Sequence, residues 1–326
     1  MKNPRFWIGM IVSAVALAVA WMRVDLDEAL GAFGEAEYVW LIPAVGFAIG
    51  SLVFRTARWR ALFYPLELRM RQLFGILTVG YTVTAVLPLR LGDVARAHLV
   101  GQIHRQSRVR TLSTVAVEHL MDVVAVLVIL LALAPFVAFP DWARTATWAA
   151  AAIVIASGAL IAVLWQRREQ SLAGLVNLFG WLPEKWTSSL RDKLDAAIDG
   201  FSALESRQAS AQVVAWSALT WLSGGFMMWA VLVAFGLPHS FQAAMFLVAV
   251  SAIAMTVPSS PGFVGVYHAL IIEAATLVLG FSSGSAASFA VMTHLLLFLP
   301  PVVLGIAYMV GKPDVWNELL RWRRDT

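Results

Sequence analysis

Long apolar runs are the feature that most constrains what this chain can fold into. A bilayer-spanning helix needs about 20 apolar residues, and six runs of the chain approach or exceed that length. Backbone groups inside a bilayer must be hydrogen-bonded within the protein, and these runs lack the two-residue alternation of barrel strands, so they predict helices. The predicted full spans are residues 6–22, 38–54, 113–139, 145–165, 211–235 and 285–310.

The composition agrees with a membrane protein. Hydrophobic residues make up 60% of the chain and charged residues 13%, whereas soluble domains carry about 25% charged residues. We therefore predict one all-α, polytopic integral membrane domain over residues 1–326, without a separate soluble catalytic domain. The absence of cysteine excludes disulfides, thiolate metal sites and cysteine nucleophiles.

Two shorter apolar pairs interrupt the spans. Residues 72–88 are too short to span comfortably and precede a charged helix at 91–104; residues 241–257 are followed by a Pro-Ser-Ser-Pro-Gly break and by 263–280. We interpret these pairs, 72–104 and 241–280, as re-entrant helical hairpins. The first belongs to a half at 55–139 and the second to a half at 211–310.

The distribution of Lys and Arg predicts the orientation. Acidic residues dominate the segment after the first span, and most arginines fall on the opposite side, which places both termini in the cytoplasm. The two hairpins then have opposite topology, as in inverted repeats that hold a substrate between them. The alternative is that 241–280 is simply two tight spans. We expect a multi-pass protein of the inner (plasma) membrane of a bacterial-type cell.

The polar segment at 169–206 has apolar residues spaced for one face of a helix. This pattern is typical of a cytoplasmic amphipathic helix that lies on the membrane. Packing of the same face on the helical bundle is an equal alternative.

The tip of the first hairpin carries charge at membrane depth, where charged side chains are usually functional. Arg90, Asp93 and Arg96 are three residues apart, which predicts one side of a short helix. Asp93 can neutralise one arginine and leave the other for phosphate, whose oxygens suit the planar guanidinium. The alternative is a structural ion pair with Glu118 or Asp122.

Two carboxylates lie within the span at 113–139. Glu118 and Asp122 are four residues apart and share a helix face, so an arginine or a proton should neutralise at least one of them. Glu118 could alternatively reach water at the membrane boundary. Arg58 closes the span at 38–54, where its default role is contact with anionic headgroups.

The break between the arms of the second hairpin predicts an anion site. A helix that restarts after Pro261 presents free amides, and such an N-terminus favours anions. Ser259 and Ser260 lie in this loop. Gly262 and Gly265 could instead serve close helix packing. His268 could bind the same anion, carry a proton or simply be hydrogen-bonded.

Four ordered motifs resemble the integral-membrane domain of lysylphosphatidylglycerol synthases and its stand-alone, flippase-like relatives. They are Arg-Thr-Ala-Arg-Trp from 55, Leu-Pro-Leu-Arg-Leu-Gly-Asp-Val-Ala-Arg from 87, Val-Glu-His-Leu-Met-Asp from 117 and Pro-Ser-Ser-Pro-Gly-Phe-Val-Gly from 258. The resemblance implies a fold that translocates aminoacylated phosphatidylglycerol or a polyprenyl-phosphate-linked sugar. His119 stands where members often have arginine, and His268 where many have glutamate. The aminoacyl-transferase domain of the full synthases has no counterpart here.

The resulting expectation is a flippase for an anionic phospholipid or a polyprenyl-phosphate-linked lipid, with gradient coupling as a hypothesis and membrane lipids as partners. The alternatives are a secondary transporter of a small soluble anion and a non-transporting partner of a lipid-modifying enzyme. The sequence has no ATPase or metal-ligand motif, so we expect no enzymatic activity, cofactor or nucleic-acid partner. The oligomeric state stays open, and a homodimer is one form to consider. The candidate substrate contacts are Arg58, Arg90, Asp93, Arg96, Glu118, Asp122, Ser259, Ser260, Gly262, Gly265 and His268.

Overall fold

The computed structural model describes residues 11–137 and 206–325 apart from isolated positions, together with a few positions between 145 and 156. All regular structure in these residues is helical. The amphipathic segment predicted at 169–206, and most of the spans predicted at 6–22 and 145–165, lie outside the described residues. The helices are α1 (Leu26–Glu35), α2 (Leu41–Ala61), α3 (Met70–Val86), α4 (Leu91–His104), α5 (Arg108–Leu133), α6 (Arg207–Ala234), α7 (Phe241–Ala254), α8 (Val266–Leu277), α9 (Ser283–Gly311) and α10 (Pro313–Asp325).

Four helices of the described part are long and apolar enough to cross a membrane, and they confirm the all-helical membrane class. They correspond to four of the six predicted spans, with somewhat different bounds. The helix at 113–139, for instance, begins five residues earlier because the Ser107 hydroxyl caps it, accepting a hydrogen bond from the Arg110 amide at 3.4 Å. The four are Tyr38–Ala61, Arg108–Leu133, Arg207–Ala234 and Ser283–Gly311.

Two apolar cores hold the helices together. In one, α6 packs along α2 and joins α7, α8 and α9. In the other, the end of α2 packs with α3, α4, α5 and α10. Because α9 also packs along α3, it connects the two cores and brings the connection after α3 close to the connection after α7.

The short helices contact one another in pairs, α3 with α4 and α7 with α8. The contact between α3 and α4 is especially close at Gly80 and Gly92. A Cβ on Gly92 would overlap the Gly80 carbonyl and the Thr84 hydroxyl. Leu87 and Arg90, which flank the connection between α3 and α4, therefore lie at one end of a tight helix pair.

Two helices were missed by the sequence analysis. Asp25 caps α1 by accepting a hydrogen bond from the Glu28 amide at 3.0 Å. Glu28 in turn accepts a hydrogen bond from the Gly284 amide at 3.3 Å, at the start of α9. At the other end of α9, α10 buries Val315 and Leu319 in the second core. Helices α1 and α10 therefore hold the two ends of α9 in place.

Candidate anion-binding site

A continuous set of ion pairs, here called the paired network, links α2, α4 and α5. Its centre is Arg58, which is fully buried. Arg58 Nη1 lies 2.7 Å from Asp122 Oδ1, and its Nη2 lies 3.2 Å from Glu118 Oε1. The second oxygen of Glu118, Oε2, accepts from Arg96 Nη1 at 3.2 Å. One buried carboxylate thus joins arginines from two different helices.

The network continues to both sides of this centre. Arg96 Nη2 donates to Asp93 Oδ1 at 2.7 Å, and Asp93 Oδ2 lies 3.0 Å from His119 Nε2. At the other end, Arg55 Nη1 lies 3.3 Å from Asp122 Oδ2. The three arginines balance the three carboxylates in charge, so the network has no excess charge when His119 is neutral.

Helical spacing explains how the sequence builds this network. On α2, Arg55 and Arg58 are three residues apart. On α5, Glu118 and Asp122 are four residues apart. Each pair therefore lies on one face of its helix, and each face is turned toward the other helix. Trp59 adds two contacts to the paired network. Its indole Nε1 donates to Thr114 Oγ1 at 3.1 Å, and its ring lies 4.9 Å from the Arg96 guanidinium carbon.

This geometry bears on three expectations. Arg58 does not contact headgroups from the membrane boundary, because it is fully buried between two carboxylates. Arg96 is held by Asp93 and Glu118, which favours the alternative of a structural ion pair over a phosphate contact. Glu118 is only 2% exposed, so it does not reach water.

Arg90 differs from the other arginines of this region. It precedes α4 in the left-handed backbone conformation, with φ of 53°, so the expectation that it shares a helix side with Asp93 and Arg96 was wrong. Its Nη2 donates to the Met255 carbonyl at 3.0 Å. Its guanidinium carbon lies 6.0 Å from the Phe263 ring centroid. Among the described residues, no carboxylate pairs with Arg90.

These contacts bring the two loops together. We call the connection between α3 and α4 the first loop and the connection between α7 and α8 the second loop. Gly262 lies in the second loop with φ of 67°. A Cβ on Gly262 would lie 3.5 Å from the carbonyl of Ala85, which is near the end of α3. The Gly262 carbonyl accepts a hydrogen bond from His294 Nε2 at 2.8 Å. The connection after α3 therefore meets the connection after α7 at Arg90.

The second loop uses several of its own amides. The Ser260 amide donates to Ser13 Oγ at 2.7 Å, and the Phe263 amide donates to the Ser260 carbonyl at 3.0 Å. The Gly265 amide points to His268 Nδ1 at 3.5 Å. These three amides already have hydrogen-bond acceptors, so fewer amides are available to an anion than the sequence predicts. The His268 imidazole accepts a hydrogen bond from the backbone of the loop.

One donor of the second loop has no partner. The Ser259 hydroxyl oxygen is buried and forms no hydrogen bond in the described part of the chain. Arg90 and Ser259 are thus side-chain donors of the loop junction with unused hydrogen-bonding capacity among the described residues. Within the described residues, no cluster of His, Asp and Glu could hold a metal ion.

Neither His294 nor the Met255 carbonyl was predicted to belong to the site. A solitary histidine in the apolar run at 285–310 was the signal for His294. Nothing in the sequence indicates that Met255 contributes its carbonyl, because that contact depends on how two distant loops meet.

Comparison with known proteins now identifies the family. Residues 6–305 match the model of the lysylphosphatidylglycerol synthase TM region. The chain belongs to this family. The resemblance drawn from the four motifs is thereby confirmed, and the family together with the apolar helices indicates a multi-pass membrane protein.

A curated relative is the protein named glycosyltransferase AglD from Haloferax volcanii. It is 22% identical over 336 residues, which cover 93% of this chain and 54% of the relative. The chain thus spans about half the length of this relative. No solved structure matches the chain significantly.

Proposed function

We propose that this protein moves an anionic lipid, either a phospholipid or a polyprenyl-phosphate-linked lipid, between the leaflets of its membrane. The observation that carries the proposal is Arg90, whose charge no carboxylate of the described residues compensates, at the place where two helix connections meet. A cationic group at membrane depth is retained when it is paired or holds a ligand. A lipid phosphate supplies the missing negative charge.

The donors at the junction suit a phosphate. Arg90 uses Nη2 for the Met255 carbonyl and keeps its other guanidinium N–H groups for a second acceptor. Arginine presents these groups as a planar fork that matches phosphate oxygens. Arg90 is half-buried, so a ligand can reach it, and the Ser259 hydroxyl offers a further donor.

We further propose that α3–α4 and α7–α8 are re-entrant hairpins of opposite orientation, with both termini in the cytoplasm. The short lengths of α3 and α7, 17 and 14 residues, support this arrangement because a full span needs about 20 residues. Ligand sites between inverted repeats lie near the membrane midplane and use such interrupted helices. In a bacterial-type cell the inner membrane is the expected location.

The family membership supports a lipid-related role, since the family is described by a lipid synthase. The relative's name, a glycosyltransferase, adds a lipid-linked sugar to the candidate substrates. About half of that relative lies outside the match, so its transferase activity is not transferred to this chain.

The experiment that tests the proposal is reconstitution into liposomes that contain single labelled phospholipids or polyprenyl-phosphate lipids. Movement between leaflets is measured with and without an imposed ion gradient. We expect at least one anionic lipid to cross faster than in empty liposomes, and Arg90→Ala to abolish that acceleration. Arg207→Ala removes an exposed arginine elsewhere and serves as the control. If no lipid crosses faster under any gradient, the proposal fails.

A second candidate is a non-transporting membrane partner of a lipid-modifying enzyme, which the glycosyltransferase name of the relative favours. This role does not need the Arg90 charge. It predicts that Arg90→Ala preserves function while surface changes within 169–206 abolish it. A transporter of a small soluble anion is distinguished in the same liposomes, because inorganic phosphate rather than a labelled lipid would then cross.

A further inference from the structure

A second group of arginines that no carboxylate of the described residues pairs with lies at the far end of α4 from Arg90. We call it the arginine patch. Four of its arginines are exposed and the fifth is half-buried. They come from the start of α3, from the turn between α4 and α5 and from the first turn of α5. The patch consists of Arg69, Arg71, Arg105, Arg108 and Arg110, with His104 among them.

The tight turn between α4 and α5 holds these groups close together. Arg105 adopts the left-handed conformation, with φ of 54°, and reverses the chain. The Arg108 side chain then packs on Gly101, where a Cβ would lie 3.1 Å from Arg108 Cγ. The Gln106 side-chain Nε2 donates to the His104 carbonyl at 3.2 Å. The arginines of the turn are therefore carried on an ordered loop.

The patch has no negative counterpart within the described part of the chain. None of its arginines forms an ion pair there, in contrast to Arg55, Arg58 and Arg96. Arg110 Nε and His104 Nε2 are buried and have no hydrogen-bond partner among the described residues. Burial and the nearby Arg69 charge lower the pKa of His104, which is the effect expected in a region of positive potential.

Two helix N-termini open into the same region. Helix α3 begins at Met70 without a side-chain cap. Helix α5 begins at Arg108, where Ser107 caps the Arg110 amide and leaves the amides before it uncapped by a side chain. Unpaired amides at a helix N-terminus favour anions. Together with five arginines, they make this end of the molecule strongly attractive to phosphate.

The distance between the patch and Arg90 suits a path across half a bilayer. Helix α4 has 14 residues, which correspond to about 20 Å at 1.5 Å per residue. The hydrocarbon core is about 30 Å thick. If Arg90 lies near the midplane, the opposite end of α4 reaches the level of the lipid headgroups.

We propose that the arginine patch binds the phosphate of an anionic lipid headgroup at the membrane surface, before that lipid reaches Arg90. The proposal names a first binding step for the proposed translocation and rests on it. Arginines near a membrane boundary also set the orientation of the chain. That role requires positive charge alone and does not predict selective binding of an anionic lipid.

Binding is measured on the full chain in neutral detergent micelles. The probes are dihexanoyl phosphatidylglycerol, dihexanoyl phosphatidylcholine and inorganic phosphate. We expect the phosphatidylglycerol to bind most tightly, and its affinity to fall about five-fold for each arginine replaced, since each basic residue near an anionic surface contributes about 1 kcal/mol. The variant is Arg105→Gln with Arg108→Gln. The matched control, Arg207→Gln with Lys312→Gln, also removes two exposed charges and should bind as the native protein does.

Three results would overturn the proposal. The first is native affinity in the Arg105→Gln, Arg108→Gln variant. The second is the same loss in the control, which would assign the effect to overall charge. The third is tighter binding of inorganic phosphate than of the short-chain lipid. The Arg105→Lys, Arg108→Lys variant keeps the charge, so it provides a test if the glutamine variant does not fold, and it should bind more weakly than native protein.

A rate measurement separates this proposal from the proposed function. In liposomes with little anionic lipid, the patch variant should move lipid more slowly, and abundant anionic lipid should restore the native rate. Arg90→Gln should be slow at every lipid content. If the native protein moves no lipid in liposomes but the patch still binds phosphatidylglycerol selectively, the proposed translocation is refuted and the proposed binding site is not.

Discussion

The paired network and the Arg90 junction are both built around arginine, yet they treat its charge in opposite ways. In the paired network, Arg58 has a carboxylate at 2.7 Å and another at 3.2 Å and is fully buried. At the junction, Arg90 has a backbone carbonyl at 3.0 Å and an aromatic ring at 6.0 Å. Only the second arginine has charge left for a ligand.

This difference assigns separate roles to residues that look alike in the sequence. Buried ion pairs cost desolvation energy, but they become strongly destabilising when one partner is removed. The paired network therefore fixes α2, α4 and α5 relative to one another. The junction is held by the surrounding loops, so removal of Arg90 should affect ligand binding far more than folding.

The largest expected effect on stability is at the centre of the paired network. Arg58→Met leaves Glu118 and Asp122 without their shared partner, and we expect a loss of about 3–5 kcal/mol in the free energy of unfolding. Unfolding in mixed detergent micelles measures it. Loss of less than about 1 kcal/mol would contradict a structural role, because that is the range of exposed pairs.

An intermediate effect is expected at the contact between α3 and α4. Gly92→Ala places a methyl group against the Gly80 carbonyl, and overpacking of this kind costs about 1–3 kcal/mol. Since Gly92 lies between Arg90 and Asp93, the change should also weaken ligand binding. The matched control is Gly46→Ala, because a Cβ there meets no atom within 4 Å. An equal effect of both changes would remove the close approach as the cause.

The smallest effect is expected at the exposed edge of the paired network. Arg55 shares Asp122 with Arg58, but its side chain is 25% exposed. Arg55→Gln should therefore cost less than about 1 kcal/mol, since water replaces part of the lost interaction. The same unfolding measurement compares it with Arg58→Met. Equal losses from the two changes would show that burial does not decide the role of these arginines.

Much of the architecture could be predicted from the sequence because hydropathy is a local property. The four long helices follow apolar runs, and the interruption at 258–262 follows two prolines and a glycine. The signals for α1 and α10 were also local. Asp25 precedes a turn with Asp27 and Glu28, and Val315 and Leu319 are one helical turn apart. No helix was predicted for either segment, because their residues were used only for the orientation of the chain.

The partners of the charged residues could not be predicted in the same way. Arg58 and Glu118 are 60 residues apart in the chain, and Arg90 and Met255 are 165 apart. Spacing within a helix shows which side chains share a face, but the facing helix decides which arginine is neutralised. For this reason Arg90 and Arg96 carried equal weight until their contacts were known.

The most direct test of the central claim is stabilisation of the protein by a short-chain anionic lipid. A ligand that binds only the folded state raises its stability by an amount that grows with the ratio of ligand concentration to dissociation constant. We expect dihexanoyl phosphatidylglycerol to raise the unfolding temperature of the native protein and of Arg55→Gln equally, and to raise that of Arg90→Gln by clearly less, because only the arginine patch then binds the lipid. Equal stabilisation of Arg90→Gln and native protein would contradict the assignment of Arg90 as the phosphate contact.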